Sequence, residues 1–168
     1  MPEANLIVTH DASHAGSSKE EVEKALKAIK QKAKFLKSEI EGVFKLRVGN
    51  PKKLIKRLSK LRNKKGMFEH TFHWIPIDKW ISANIKSMQK EIKKLQKGIK
   101  KSEKWKMDLQ KRHFDMPSTE LIVKLTEVVD KPKVDLGNPQ KIIEVQIIGK
   151  KAGLALLNKD EMLVLRYR

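Results

Sequence analysis

An α+β fold in two halves is what this 168-residue sequence predicts, and three observations predict it. Apolar positions alternate at period two in some stretches, as at Ile143, Val145 and Ile147. In others they step at three and four, as at Ile81, Ile85, Met88, Ile92, Leu95 and Ile99. Proline and glycine turn signals separate these stretches, and the pattern changes register near residue 78. The length suits one domain or two small ones.

Asn5-Leu6-Ile7-Val8-Thr9 reads as a first strand. After a loop, Ser18-Lys19-Glu20-Glu21 has the form of a capping box that opens a helix, with Val22, Leu26 and Ile29 on its apolar side. Residues 35–40 and 43–48 read as two strands joined near Glu41-Gly42. Asn50-Pro51 caps the next helix, whose buried stripe is Leu54, Ile55, Leu58 and Leu61. A fourth strand is expected over residues 68–77. The order β-α-β-β-α-β is the ferredoxin-like split motif, assigned to residues 1–77.

In the second half, residues 78–168, the run from Ile81 to Ile99 predicts one long amphipathic helix. Trp105, Met107 and Leu109 alternate as a strand. Pro117-Ser118-Thr119-Glu120 starts a helix that turns Leu121, Ile122, Leu125, Val128 and Val129 inward. Asn138-Pro139 then forces a turn, because proline fixes φ and pushes its predecessor out of the α region. Two closing strands follow, joined at Gly149-Lys150-Lys151, and residues 162–165 suggest a third beside them.

The formal net charge is +18, with 38 Lys and Arg against 20 Asp and Glu, so thermophilic enrichment of both signs does not explain it. A polyanionic partner does, and RNA is favoured over DNA or a membrane surface. Between Lys24 and Lys65 sixteen basic residues face only Glu39 and Glu41. Lys86, Lys90, Lys93, Lys97 and Lys100 form a stripe of like charges that repel at helical spacing, and Lys104 follows them. The excess is lysine, which holds phosphate as a point charge and carries little sequence information. Only Trp80 and Tyr167 look free for stacking, so recognition by RNA shape is expected.

No apolar run reaches membrane-spanning length, no secretory pattern opens the chain, and cysteine is absent. A cytoplasmic protein is expected. Phosphate-loop and dinucleotide glycine patterns are missing, as is a glycine-lined turn for acetyl-CoA or S-adenosylmethionine. No cofactor, metal or catalytic residue is therefore assigned. His70 and His73, three apart on an expected strand, face opposite sides. His10, Asp11 and His14 read as an ordinary turn, with weak metal or phosphate binding as the alternative.

Lys133-Val134-Asp135-Leu136-Gly137-Asn138-Pro139, then Ile142-Ile143-Glu144-Val145-Gln146-Ile147-Ile148, then Ala152-Gly153-Leu154-Ala155-Leu156 resembles the end of a THUMP domain. Residues 105–114 resemble that family's strand ending in basic residues, and residues 117–129 its following helix. The resemblance implies an N-terminal ferredoxin-like domain followed by an α/β THUMP domain. It also implies tRNA binding at the acceptor stem and 3′ end. Lys111, Arg112 and His113, with Lys150 and Lys151, would line the RNA face, and Lys93, Lys97 and Lys104 would extend it. Family members often carry an arginine mid-strand where this chain has Met107-Asp108, which shifts weight to Lys111 and Arg112.

The chain resembles THUMP-only adaptors, which implies that it presents tRNA to a separate acetyltransferase for cytidine N4-acetylation. A structural, ribosome-associated RNA-binding protein and a tRNA-modifying enzyme with an unrecognised site are the alternatives.

Overall fold

A computed structural model describes residues 3–166. Its strands are β1 (Leu6–His10), β2 (Ala33–Leu36), β3 (Val43–Val48), β4 (Thr71–Pro76), β5 (Lys79–Ser82), β6 (Trp105–Arg112), β7 (Lys141–Ile148), β8 (Lys151–Asn158) and β9 (Leu163–Val164). The helices are α1 (Ala15–Ala28), α2 (Pro51–Ser59), α3 (Ile85–Leu95) and α4 (Ser118–Thr126). The chain forms two units. One comprises the described residues up to Ile77 together with those from Asp160 on, and the other runs from Asp78 to Lys159.

The first unit follows the order β-α-β-β-α-β, and its sheet runs β2-β3-β1-β4-β9 with every neighbouring pair antiparallel. Leu6, Val8, Leu46 and Trp74 meet Val22 and Leu26 of α1 and Leu54, Ile55 and Leu58 of α2 in one core. Each such fully buried aliphatic side chain stabilises the fold by about 1.5–3 kcal/mol. Asn50 caps α2 by accepting from the Lys53 amide at 3.2 Å, with Pro51 at the first helical position.

The capping-box reading of Ser18 is corrected: α1 begins earlier, at Ala15. The Ser18 hydroxyl lies inside the first turn and donates back to His14 O at 2.7 Å. Glu21 leaves the helix end altogether. Its carboxylate accepts from the amides of Glu69, His70 and Thr71 and from the Thr71 hydroxyl, at 2.6, 2.9, 2.8 and 2.6 Å. Of the two strands of the predicted hairpin, β3 occupies residues 43–48 as expected, whereas β2 lies at residues 33–36 rather than 35–40.

The second unit has a four-stranded sheet in the order β5-β8-β7-β6, with β6 parallel to β7 and the other pairs antiparallel. Met88 and Ile92 of α3 and Leu121 and Leu125 of α4 pack with Ile143, Val145, Ile147 and Leu154. Alternation along β7 therefore sends Glu144 and Gln146 to the opposite face of the sheet, where both are fully buried.

Two expectations are corrected here. The long helix from Ile81 is shorter, because Lys79–Ser82 forms strand β5 against β8 and Asn84 then caps α3, accepting from the Ser87 amide at 2.8 Å. Residues 162–165 do not join the closing strands. Leu163 and Val164 pair with Trp74 and His73 of β4, because Leu163 belongs to the apolar core of the first unit.

Candidate nucleic-acid interface

The parallel register of β6 and β7 places Arg112 opposite Ile148, and the chain reverses immediately after Ile148. Gly149 makes that reversal at φ +61°, a left-handed conformation that side chains resist, and its amide donates to Arg112 O at 2.9 Å. The end of β6 and the β7–β8 turn are thereby joined. Lys111, Arg112, His113, Lys150 and Lys151 come together at one end of the sheet.

Their side chains are not equivalent. Lys150, Lys151 and His113 are exposed, and His113 itself has φ +60°. Lys111 Nζ donates to Phe114 O at 3.3 Å. Arg112 is half-buried, and its guanidinium donates to Gln146 Oε1 at 2.9 Å. Gln146 in turn donates through Nε2 to Glu144 Oε1 at 2.5 Å. Burial pushes the Glu144 carboxyl well above the usual range, and the adjacent Asp108 carboxylate, opposite in register, adds to the rise. Arg112 is anchored from beneath rather than displayed.

Both helices begin near this end. Ser82 pairs with Lys151, the Ala83 amide donates to Lys150 O at 2.9 Å, and α3 starts at Ile85 with no acidic residue in its first turn. α4 starts at Ser118, shortly after Arg112 along the chain. Helix N-termini carry partial positive charge and donate unpaired amides, which favours anions. Lys86, exposed in the first turn of α3, joins the cluster. Sequence reasoning placed Lys86 only in a helical stripe; its position at the strand end depends on β5, which the periodicity had concealed.

The remaining expected residues lie elsewhere. Lys104 precedes β6 at the far end of the sheet, about 26 Å from Arg112 at a strand rise of about 3.3 Å per residue. Its ammonium pairs with Asp135 at 3.6 Å. Asp135 braces the turn before Pro139 by accepting from the Gly137 and Asn138 amides at 3.0 and 2.9 Å, and the Asn138 bond leads the lowering of its pKa. Lys93 and Lys97 are exposed towards the C-terminal end of α3, where a Cβ on neighbouring Gly98 would come 2.5 Å from Leu156. They belong with the far end, not with Lys150.

In the first unit, Asp11 accepts from Ser13 and His14 and caps a short 3-10 turn; the Ser13 hydroxyl leads in lowering its pKa to about 2. His70 lies outside β4 and stacks on His14 at 5.1 Å, while His73 Nδ1 meets the Thr9 hydroxyl at 3.1 Å. Trp80 is half-buried opposite Gly153. Tyr167 lies outside the described residues. Among the described residues no helix is long and apolar enough to cross a membrane.

No protein-family model matches the chain, and no curated protein matches it. Solved structures do. PH1313 from Pyrococcus horikoshii superposes over 93% of this chain and 54% of its own, with a TM-score of 0.62 at 18% identity. A 4-thiouridine synthetase in complex with RNA and bound ATP superposes over 98% of this chain and 42% of its own, with a TM-score of 0.55 at 14% identity. TrmN from Thermus thermophilus covers 90% of this chain and 44% of its own, at a TM-score of 0.55 and 14% identity. The fold is THUMP-like. The chain spans about half the length of each of these structures.

Proposed function

We propose that this protein binds tRNA at the acceptor stem and 3′ end and presents it to a separate modifying enzyme, with cytidine N4-acetylation as the reaction served. The observation that carries the reading is the joined end of β6 and the β7–β8 turn. There Lys111, Lys150 and Lys151 gather beside Lys86 at the start of α3. Four ammonium groups and helix amides in one place suit the closely spaced phosphates of an RNA backbone. The lysine bias suits recognition of shape rather than of bases. A neighbour of the same fold is a 4-thiouridine synthetase solved with RNA, which supports the reading.

On this reading the chain performs no chemical step. Its exposed lysines hold the RNA, the Glu144–Gln146–Arg112 row keeps the strand end rigid, and the acetyl donor binds the partner acetyltransferase. Charge reversal tests the site. Lys150→Glu with Lys151→Glu, both exposed, is expected to weaken tRNA affinity more than tenfold and to reduce the salt slope by about two. Lys52→Glu with Lys53→Glu serves as the control pair. Equal losses from both pairs would mean that charge acts diffusely and the assigned end is not the site. Mass spectrometry of tRNA incubated with the protein, acetyl-CoA and S-adenosylmethionine tests the adaptor role, because a modification appearing without a partner enzyme would replace it.

A further inference from the structure

The sixteen basic residues between Lys24 and Lys65 lie in the first unit and take no part in the site just described. Two clefts lie in the same unit, and both are walled by Phe35. The first, about 380 Å³, is lined by His10, Lys19, Glu41 and Phe44 among others. Such a volume falls within the range of small-ligand sites, about 300–1,000 Å³. Its rings are set in place: His10, 5% exposed, stacks on Phe44 with centroids 4.0 Å apart at 17°, and Phe35 meets Phe44 edge-on at 5.7 Å. Lys19 Nζ stands 5.1 Å from the Phe35 ring centroid. The second cleft, about 540 Å³, is rimmed by Lys27, Lys30 and Lys32, which outnumber its one carboxylate, Glu23. α1 ends at this rim, where Lys30 takes φ +55° and is exposed.

We propose that the first unit carries a single-strand RNA subsite, in which one unstacked nucleobase enters the Phe35–Phe44–His10 cleft and the flanking phosphates follow Lys27, Lys30 and Lys32. Aromatic faces accept any base by stacking, and rings already fixed by neighbours lose little freedom on binding. The Glu41 carboxylate repels phosphate but accepts from an exocyclic amine, so cytosine, adenine and guanine fit this cleft better than uracil. The lysine-rimmed second cleft, which Phe35 also lines, then takes the backbone. This subsite rests on the RNA-binding reading and extends it, since shape recognition by the second unit has no need of an unpaired base.

The test uses the full chain and three probes: tetranucleotides of cytidine and of uridine, and inorganic phosphate at matched ionic strength. Amide and aromatic NMR shifts should map to Phe35, Gly42 and Phe44 with the cytidine probe, weaken with uridine and vanish with phosphate. Phe35→Ala should weaken cytidine tetranucleotide binding at least fivefold, and Lys30→Gln with Lys32→Gln, both exposed, should weaken it as well. Equal shifts with phosphate, or shifts confined to residues 111–113 and 150–151, would overturn the subsite. Intact tRNA binding alongside such a result would remove this subsite alone; loss of tRNA binding by the wild-type chain would remove the RNA reading itself.

Discussion

Glu144 is a carboxyl group without exposure in the middle of a mostly apolar strand, and its raised pKa makes stability respond to pH. Its folded pKa is raised above the ordinary glutamate value of 4.5, by burial first and by Asp108 second. The folded state therefore holds this proton more tightly than the unfolded chain does. Its contribution is complete below the unfolded value and is lost as pH rises towards the folded value. Glu144→Gln keeps the shape and removes the titration. Its melting temperature should gain on the wild type between pH 5 and 8, and two curves running parallel across that range would refute the raised pKa of Glu144. Glu21 makes the opposite use of a carboxylate, gathering four donors at residues 69–71. Hydrogen bonds to a charged group contribute about 1.5–3 kcal/mol each, less than additively, so Glu21→Ala should cost about 3 kcal/mol in chemical denaturation.

Elements differ in how openly the chain displays them. Strands β7 and β8 were readable because Ile143, Val145 and Ile147 alternate and Gly149 marks the turn. Strand β5 was not: Ile81 falls four residues before Ile85, so a helical period absorbed it, and only the Asn84 cap betrays the true start of α3. The true start of α1 was hidden for a related reason, since Ser18 and Glu21 have capping-box spacing while the Glu21 carboxylate serves residues distant in sequence. β9 is the extreme case, two residues whose partner strand lies some ninety positions earlier; no local pattern encodes such a pairing. Leu163, 1% exposed, fixes it. Leu163→Ala should cost about 2–4 kcal/mol, with hydrogen-exchange protection falling in β4 and α2 and unchanged in β7. Equal loss in both units would mean that the tail does not belong to the first.

Taken together, the chain builds two α+β units and returns to the first after completing the second. Its excess of 38 basic over 20 acidic residues destabilises any compact state through self-repulsion, which a polyanion relieves. Of the residues expected to face RNA, the strand-end set was readable because glycine and strand register bring 112 and 149 together. Lys93, Lys97 and Lys104 were grouped with that set by charge alone, and charge carries no information about which end of a sheet a residue occupies. The measurement that bears most directly on the RNA reading is the affinity of the full chain for tRNA between 50 and 200 mM salt. Neutralisation of about six to ten phosphates predicts a fall on the order of a thousandfold or more. Affinity that stays flat over that range, or no binding at the lower salt, would show that this positive surface serves something other than tRNA.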